Sequence, residues 1–328
     1  MPEAKKSKNG IFIVGKQEFI TACGIGMNAA VALLIMARGS QGNNRTTSWS
    51  CKAISERAGI TRAKADKAVN LLIEHGLVEK IKEGSRPQYR IELSDDANSY
   101  IYLPNSIIDG VGAEVPPVER IRQTMNVANL FTFVLLYFLQ DIDNEYGLPL
   151  EAFKSHNSDL ELIYQNDMAK LLYCKRSTWE ISWPWYSTSM FQRMGIDFNE
   201  FKEAFHELLA LGLVKAWGIT FESSDEDAEA ICETYSYGWF SELHSQVSRA
   251  VSKPPKWPAE GAYIIVPKHV KAPEIRTSGR LVYLPQTTKT ARFHAMTVRR
   301  EERVSQMIDN AVNLEQSRAI YREEDEDF

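Results

Sequence analysis

A chain of 328 residues exceeds the usual size of one domain and points to two or three. Its 44% hydrophobic content supports proper cores, while a net charge of −5 and an isoelectric point of about 5.8 exclude a protein that coats nucleic acid by charge alone. The four cysteines, Cys23, Cys51, Cys174 and Cys232, form no C-x-x-C pair, which suits a reducing cytosol and removes zinc-finger spacing.

Charge is unevenly placed along the chain. Residues 1–44 carry five Lys/Arg against two Asp/Glu, and residues 45–90 ten against five. Residues 91–252 carry ten against twenty-five, residues 253–303 eleven against four, and residues 304–328 two against seven. Two basic blocks therefore flank an acidic middle.

Met1–Gly10 is polar and lysine-rich without a signal-peptide core, and reads as a disordered basic arm. Ile11–Val14 and Glu18–Thr21 are readable as short strands or as a lead-in to the domain. Gly24-Ile25-Gly26 resembles the opening of the dinucleotide-binding fingerprint, but Ala29 occupies the third glycine position and no βαβ unit follows. No cofactor is expected there. The glycines instead precede a helix, Met27–Arg38, with Ala30, Val31, Leu34 and Ile35 on its packing face. Gly39–Ser48 is a polar loop whose Arg45 is a candidate phosphate contact, or simply a surface residue.

The most informative stretch is Trp49 to Ile91. A short helix over Trp49–Ala58 places Ala53, Ile54 and Ala58 on one face. Gly59 permits a left-handed turn, Ile60 plugs the core, and Thr61 is a good N-cap for a second helix. In that helix Ala65, Ala68, Val69 and Leu72 follow buried-stripe spacing, and Gly76 stops it. Its other face carries Arg62, Ala63, Lys64, Lys67 and Asn70, with His75 as a solvated or capping residue at the end. Strands follow at Leu77–Ile81 and Gln88–Leu93, joined by turn residues Lys82 to Pro87. Lys80, Lys82, Arg86 and Arg90 would set charge beside a phosphate backbone.

The run from Ile54 to Val78, apolar-Ser-x-x-Ala-Gly-Ile-Thr-x-x-x-Ala-x-x-Ala-Val-x-x-Leu-x-x-x-Gly-Leu-Val, resembles the winged helix-turn-helix superfamily of bacterial and mobile-element DNA-binding proteins. With the preceding helix the resemblance covers residues 27–93. It implies a DNA-binding domain over residues 11–94. In that reading Thr61, Arg62, Ala63, Lys64, Lys67 and Asn70 meet the major groove, and Lys82, Arg86 and Arg90 meet phosphate. Winged helices also serve as dimerisation and protein-docking modules, so the motif specifies fold more closely than function.

Ser94–Ser99 is a linker, Tyr100–Leu103 a strand, and Asp109–Pro117 a loop. Val127–Asp143 is a helix apolar nearly all round, expected at the centre of a domain or of an oligomer interface. Its core run of about thirteen residues is short of the roughly 20 that a membrane span needs. A helix is expected over Asp159–Tyr173, another over Phe198–Leu211 ending at Gly212, then a strand over Leu213–Phe221. Residues 127–222 are thus readable as a diverged second winged helix with an aromatic insertion, Trp179–Phe191, inside an acidic domain spanning 100–252. Asn199, Glu200, Glu203 and Glu207 on its third helix would repel phosphate and suit a protein partner or dimer. The cluster Trp179, Trp183, Trp185 and Tyr186 is a local core or a partner surface. Glu222–Glu229 is an acidic loop, without calcium-loop spacing. A helix is expected over Tyr237–Val251.

Lys253 to Pro258 is a proline-rich linker that opens a basic segment over 253–314, with strands at Ala262–Val266 and Leu281–Leu284 and a helix at Thr297–Leu314. Lys268, Lys271, Arg276, Arg280, Lys289, Arg292, Arg299 and Arg300 make this a candidate second basic surface. Residues 315–328 form an acidic tail ending REEDEDF.

The expected fold class is α+β, mainly helical with small β wings. No G-x-x-x-x-G-K-[ST], H-E-x-x-H or G-x-S-x-G motif occurs and the six histidines are isolated, so no catalytic, metal or cofactor site is expected. The leading expectation is a sequence-specific double-stranded DNA-binding protein of the cytosol and nucleoid, most simply a dimeric transcriptional regulator. A plasmid or phage replication initiator, which paired winged helices resemble, and a non-catalytic interaction adaptor docking through the acidic middle are the alternatives.

Overall fold

The computed structural model describes residues 10–140 (except 41 and 85), 148, 154–155, 160–165, 169–175, 179–180, 197–235 (except 226 and 229) and 261–283. It is a mixed α+β chain with small sheets. Contacts divide it into two units. The first comprises Met1–Asp143, Trp185–Val214 and Leu281–Ala291, and the second comprises Asn144–Pro184, Lys215–Arg280 and Arg292–Phe328.

In the first unit, β1 (Ile11–Gly15) pairs antiparallel with β5 (Tyr100–Pro104), Ile13 opposite Tyr102. The linker expected at Ser94–Ser99 therefore leads straight into a strand hydrogen-bonded to the N-terminal one. Glu18–Thr21, readable as a short strand, is instead part of helix α1 (Lys16–Ile25). Phe19, Ile20, Ala22 and Cys23 are all buried, a spacing that only a helix presents to one side. Helix α2 (Met27–Arg38) buries Ala29 through Ala37 without a break, so it is enclosed all round rather than packed by the one face expected. It lies against α1, β1, α3 (Cys51–Ala58) and α4 (Arg62–Glu74).

A three-stranded sheet completes this region, in the order β2 (Thr46–Thr47), β4 (Gln88–Ile91), β3 (Val78–Lys82). The loop before β2 is ordered by Asn43, whose Oδ1 accepts from the Arg45 and Thr46 amides, both at 3.0 Å. Strand β3 is an edge strand, and after Val78 all its residues are exposed and mostly charged. Such an edge resists adding a foreign strand.

The chain then passes α5 (Ser106–Asp109) and α6 (Pro117–Gln123) to α7 (Val127–Leu139). Helix α7 is buried from Ala128 to Tyr137, with Phe131 stacked on Phe19 at 6.5 Å between centroids. It packs on β5 and on α8 (Phe198–Ala210), which presents Phe201, Ala204, Phe205 and Leu208 at i, i+3, i+4, i+7. Asn129, fully buried on α7, donates to Glu207 of α8 and to Thr124. Arg120 closes the same region, donating to the Leu211 carbonyl (3.0 Å) and to the Tyr283 hydroxyl (3.1 Å), which donates to Glu114 (3.1 Å).

The regular elements described in the second unit are strands. β6 (Lys154–Ser155) pairs with β9 (Trp179–Glu180). β7 (Leu160–Gln165), β8 (Ala169–Lys175) and β12 (Gly261–Pro267) form a sheet with β8 central. This overturns the helix expected over Asp159–Tyr173. β7 and β8 pair in register, Leu162 opposite Leu172, and the backbone bonds of a ladder outweigh the local helical rhythm of Met168 to Leu172. The sequence does carry a hairpin signal, Asn166-Asp167 between two apolar runs. The second winged helix expected over 127–222 therefore lacks its second helix, while its third helix and following strand form as α8 and β10 (Val214–Phe221). β10 is central in a third sheet, ordered β11 (Ala230–Tyr235), β10, β13 (Glu274–Leu281). Of the strand expected at Leu281–Leu284, only Leu281 belongs to a strand, as the last residue of β13; Val282 and Tyr283 form a bend, and Leu284 lies outside the described residues.

The basic arm up to Asn9, most of the aromatic insertion, the proline linker, the helices expected at Tyr237–Val251 and Thr297–Leu314, and the acidic tail lie outside the described residues. Among the described residues no helix is long and apolar enough to cross a membrane.

Candidate nucleic-acid interface

The turn between α3 and α4 is built as its sequence dictates. Gly59 takes φ 60°, ψ 34°, a left-handed conformation that a side chain would strain. The Ser55 hydroxyl donates to the Ile60 carbonyl at 2.6 Å, and Ile60 is buried. Thr61 caps α4, its Oγ1 accepting from the Lys64 amide at 3.3 Å. At the other end the His75 ring nitrogen lies 2.9 Å from the Leu71 carbonyl, a contact in which Nδ1 carries the proton.

α3 itself starts at Cys51, two residues later than expected, because Trp49 is held elsewhere. The Arg57 guanidinium lies 3.9 Å from its ring centroid and that of Arg38 5.6 Å. Asp109 pairs with both, at 2.6 Å to Arg38 and 3.9 Å to Arg57. A side chain at Gly39 would strike the indole, with a Cβ only 2.2 Å from its Cδ2. This clamp ties α2, α3 and α5 together through Arg38, Arg57 and Asp109 around Trp49.

Ala65, Ala68, Val69 and Leu72 are buried, which turns Thr61, Arg62, Ala63, Lys64, Lys67 and Asn70 to solvent, all exposed. The hairpin β3–β4 stands beside them with Lys82, Arg86 and Arg90 exposed. Ion pairing divides the ten basic residues of 45–90 in two. Arg45 pairs with Asp95 (2.7 Å), Lys52 with Glu56 (3.9 Å), Arg57 with Asp109, Lys80 with Glu83 (3.3 Å) and Arg90 with Glu79 (3.1 Å). Arg62, Lys64, Lys67, Lys82 and Arg86 make no ion pair among the described residues. The unneutralised charge thus sits on the first two turns of α4 and the tip of the hairpin. Arg45 and Arg90, by contrast, have carboxylates of their own.

Between α4 and the hairpin lies a cleft of about 450 Å³, lined by Ser50, Cys51, Arg62, Ala63, Asp66, Gly84, Pro87 and Tyr89. Burial pushes the Cys51 thiol up from its ordinary pKa, and the hydrogen bond from its Sγ to Asp66 Oδ1 (3.4 Å) adds to the rise. Burial likewise raises the Tyr89 hydroxyl. Cys51 is therefore a neutral thiol near neutral pH. Asp66, Cys51 and Tyr89 were not among the residues expected here. Asp66 was legible, since it lies four residues after Arg62 on the same face; Cys51 and Tyr89 reach the cleft only through tertiary packing.

The second basic surface fares differently. Lys268 and Lys271 are exposed. Arg276 is half-buried, 4.4 Å from the Phe221 ring centroid, paired with Glu274 (3.3 Å) and donating to the Asp225 carbonyl (2.8 Å). Arg280 is only 7% exposed. These two arginines are internal ties of the second unit rather than phosphate contacts. Lys289, Arg292, Arg299 and Arg300 lie outside the described residues. Comparison of the chain with protein-family models, with curated proteins and with solved structures finds no match to any of them.

Proposed function

We propose that residues 27–93 form a winged helix that binds double-stranded DNA with sequence preference, with α4 in the major groove and the β3–β4 hairpin along the backbone. One observation carries the reading. The five basic side chains of 45–90 that lack an internal carboxylate partner are the ones on the α4 face and hairpin tip. Leaving them unpaired is favourable where phosphates supply the counter-charge. The helix–strand–helix–helix–hairpin order and the β2-β4-β3 sheet agree with a winged helix. The simplest role is a transcriptional regulator, acting as a dimer on a two-fold site.

A second reading is a replication initiator: α8 repeats the cap and buried apolar spacing of α4, while its acidic outward face departs from a pair of DNA-contacting winged helices. Selection of duplexes from a random library by the purified chain, at near-physiological salt, tests both. An enriched inverted repeat supports the regulator, and direct repeats the initiator. In the same assay Arg62→Ala relaxes base preference, whereas Arg86→Ala weakens all sequences alike and lowers the salt slope by about one. Uniform weak binding that vanishes as salt rises would overturn sequence-specific recognition.

A further inference from the structure

Ala63, Asp66, Lys67 and Asn70 follow i, i+3, i+4, i+7 spacing and share the outward face of α4. One of the four is a carboxylate. On a surface that approaches phosphate, a carboxylate weakens binding to every sequence. Its own partners do little to neutralise it. Cys51 Sγ, a weak donor, lies 3.4 Å from Oδ1, and Asn70 Nδ2 lies 3.5 Å from Oδ2, at the limit of a hydrogen bond. Among the described residues Asp66 forms no ion pair, and it is exposed. Lone pairs on both oxygens remain open at the mouth of the cleft, beside the small side chain of Ala63.

We infer that Asp66 is a specificity-determining residue of this interface, its carboxylate accepting a hydrogen bond from the exocyclic N4 amino group of a cytosine. The inference rests on the DNA-binding reading of α4. A carboxylate only accepts. In the major groove guanine and thymine present only acceptors at their polar edge, so both repel it; adenine presents its amino group beside the N7 acceptor. Cytosine alone offers a donor with no acceptor on its own edge. Asp66 thus trades general affinity for discrimination at one base pair.

The test is selection from a random duplex library by the full chain and by its Asp66→Ala and Asp66→Asn variants. The wild type enriches a site with cytosine at one position. Asp66→Ala levels that position, a loss of roughly tenfold or more in base ratio, keeps the others, and binds random duplex as well or better. Asp66→Asn shifts the position toward adenine, which a carboxamide reads through N6 and N7. It carries the test if the alanine variant fails to fold. A cytosine ratio unchanged in both variants, with Arg62→Ala still altering the site, overturns the role of Asp66 and leaves the interface standing. No enriched site for the wild type overturns both.

Discussion

Helices α4 and α8 are both thirteen residues long and lead into the same turn. Thr61 and Asp197 cap them, accepting from the amides of Lys64 and Glu200. Ala65, Ala68, Val69 and Leu72 match the buried Phe201, Ala204, Phe205 and Leu208 at the same spacing. Gly76 and Gly212 take φ 70° and 67°, and Leu77 and Leu213 each bond back to Leu72 and Leu208. The outward faces differ. Where α4 shows Lys64, Asp66 and Lys67, α8 shows Glu200, Lys202 and Glu203, a reversal of charge at these three positions. The strands that follow differ too. β3 is a charged edge strand, whereas the more apolar β10 is central in its sheet. A helix, a turn and a strand are thus specified by cap, apolar spacing and glycine, while the partner such a cassette suits is set by residues that contribute little to its folding.

The sharpest way to test the likeness is to remove matched core residues. Leu72→Ala and Leu208→Ala each destabilise the protein by roughly 2–5 kcal/mol in denaturant unfolding, because both side chains are fully buried. A marked difference between them would show that one helix is less tightly held. The contrast is tested by writing the α8 charges into α4. Lys64→Glu with Lys67→Glu lowers duplex affinity on the order of a hundredfold, roughly tenfold per reversed charge, and flattens its salt dependence; anisotropy titrations at several salt concentrations read both effects. Gly76→Ala and Gly212→Ala each cost about 1–2 kcal/mol of stability. Beyond the adjoining residues of the chain nothing lies within 4 Å of the added Cβ at either site, so left-handed backbone strain sets the cost and the two should agree. The smallest effect is expected at the hairpin. Arg90→Ala weakens duplex binding less than Arg86→Ala in the same titrations, since Glu79 already holds Arg90 at 3.1 Å. Equal losses would mean that this ion pair opens on binding.

The end of α3, the turn at Gly59, the cap at Thr61 and the solvent face of α4 were legible in the sequence, whereas the start of α3 was not. Each legible feature depends on side chains within one or two turns of each other. The hairpin was legible for the same reason, through Gly84 and Pro87 between two strand-like runs. Helix α1, readable in part as a short strand or a lead-in, spans only ten residues, and its burial is completed by α7, about a hundred residues on, as well as by its neighbours β1 and α2. β7 and β8 were misread as a helix because leucines at Leu160, Leu162, Leu171 and Leu172 serve either period, and only pairing with β12, ninety residues on, makes β8 a central strand.

Charge shows the same division. The sequence by itself determined how many basic residues surround α4 and which of them face outward, since helical periodicity and a left-handed glycine are local matters. Tertiary structure decided which of those charges remain available. It set Asp95 against Arg45, Asp109 against Arg57 and Glu79 against Arg90, and it enclosed Arg280. Coulombic pairing and desolvation depend on distances between groups remote in sequence, and those distances exist only once the chain has folded.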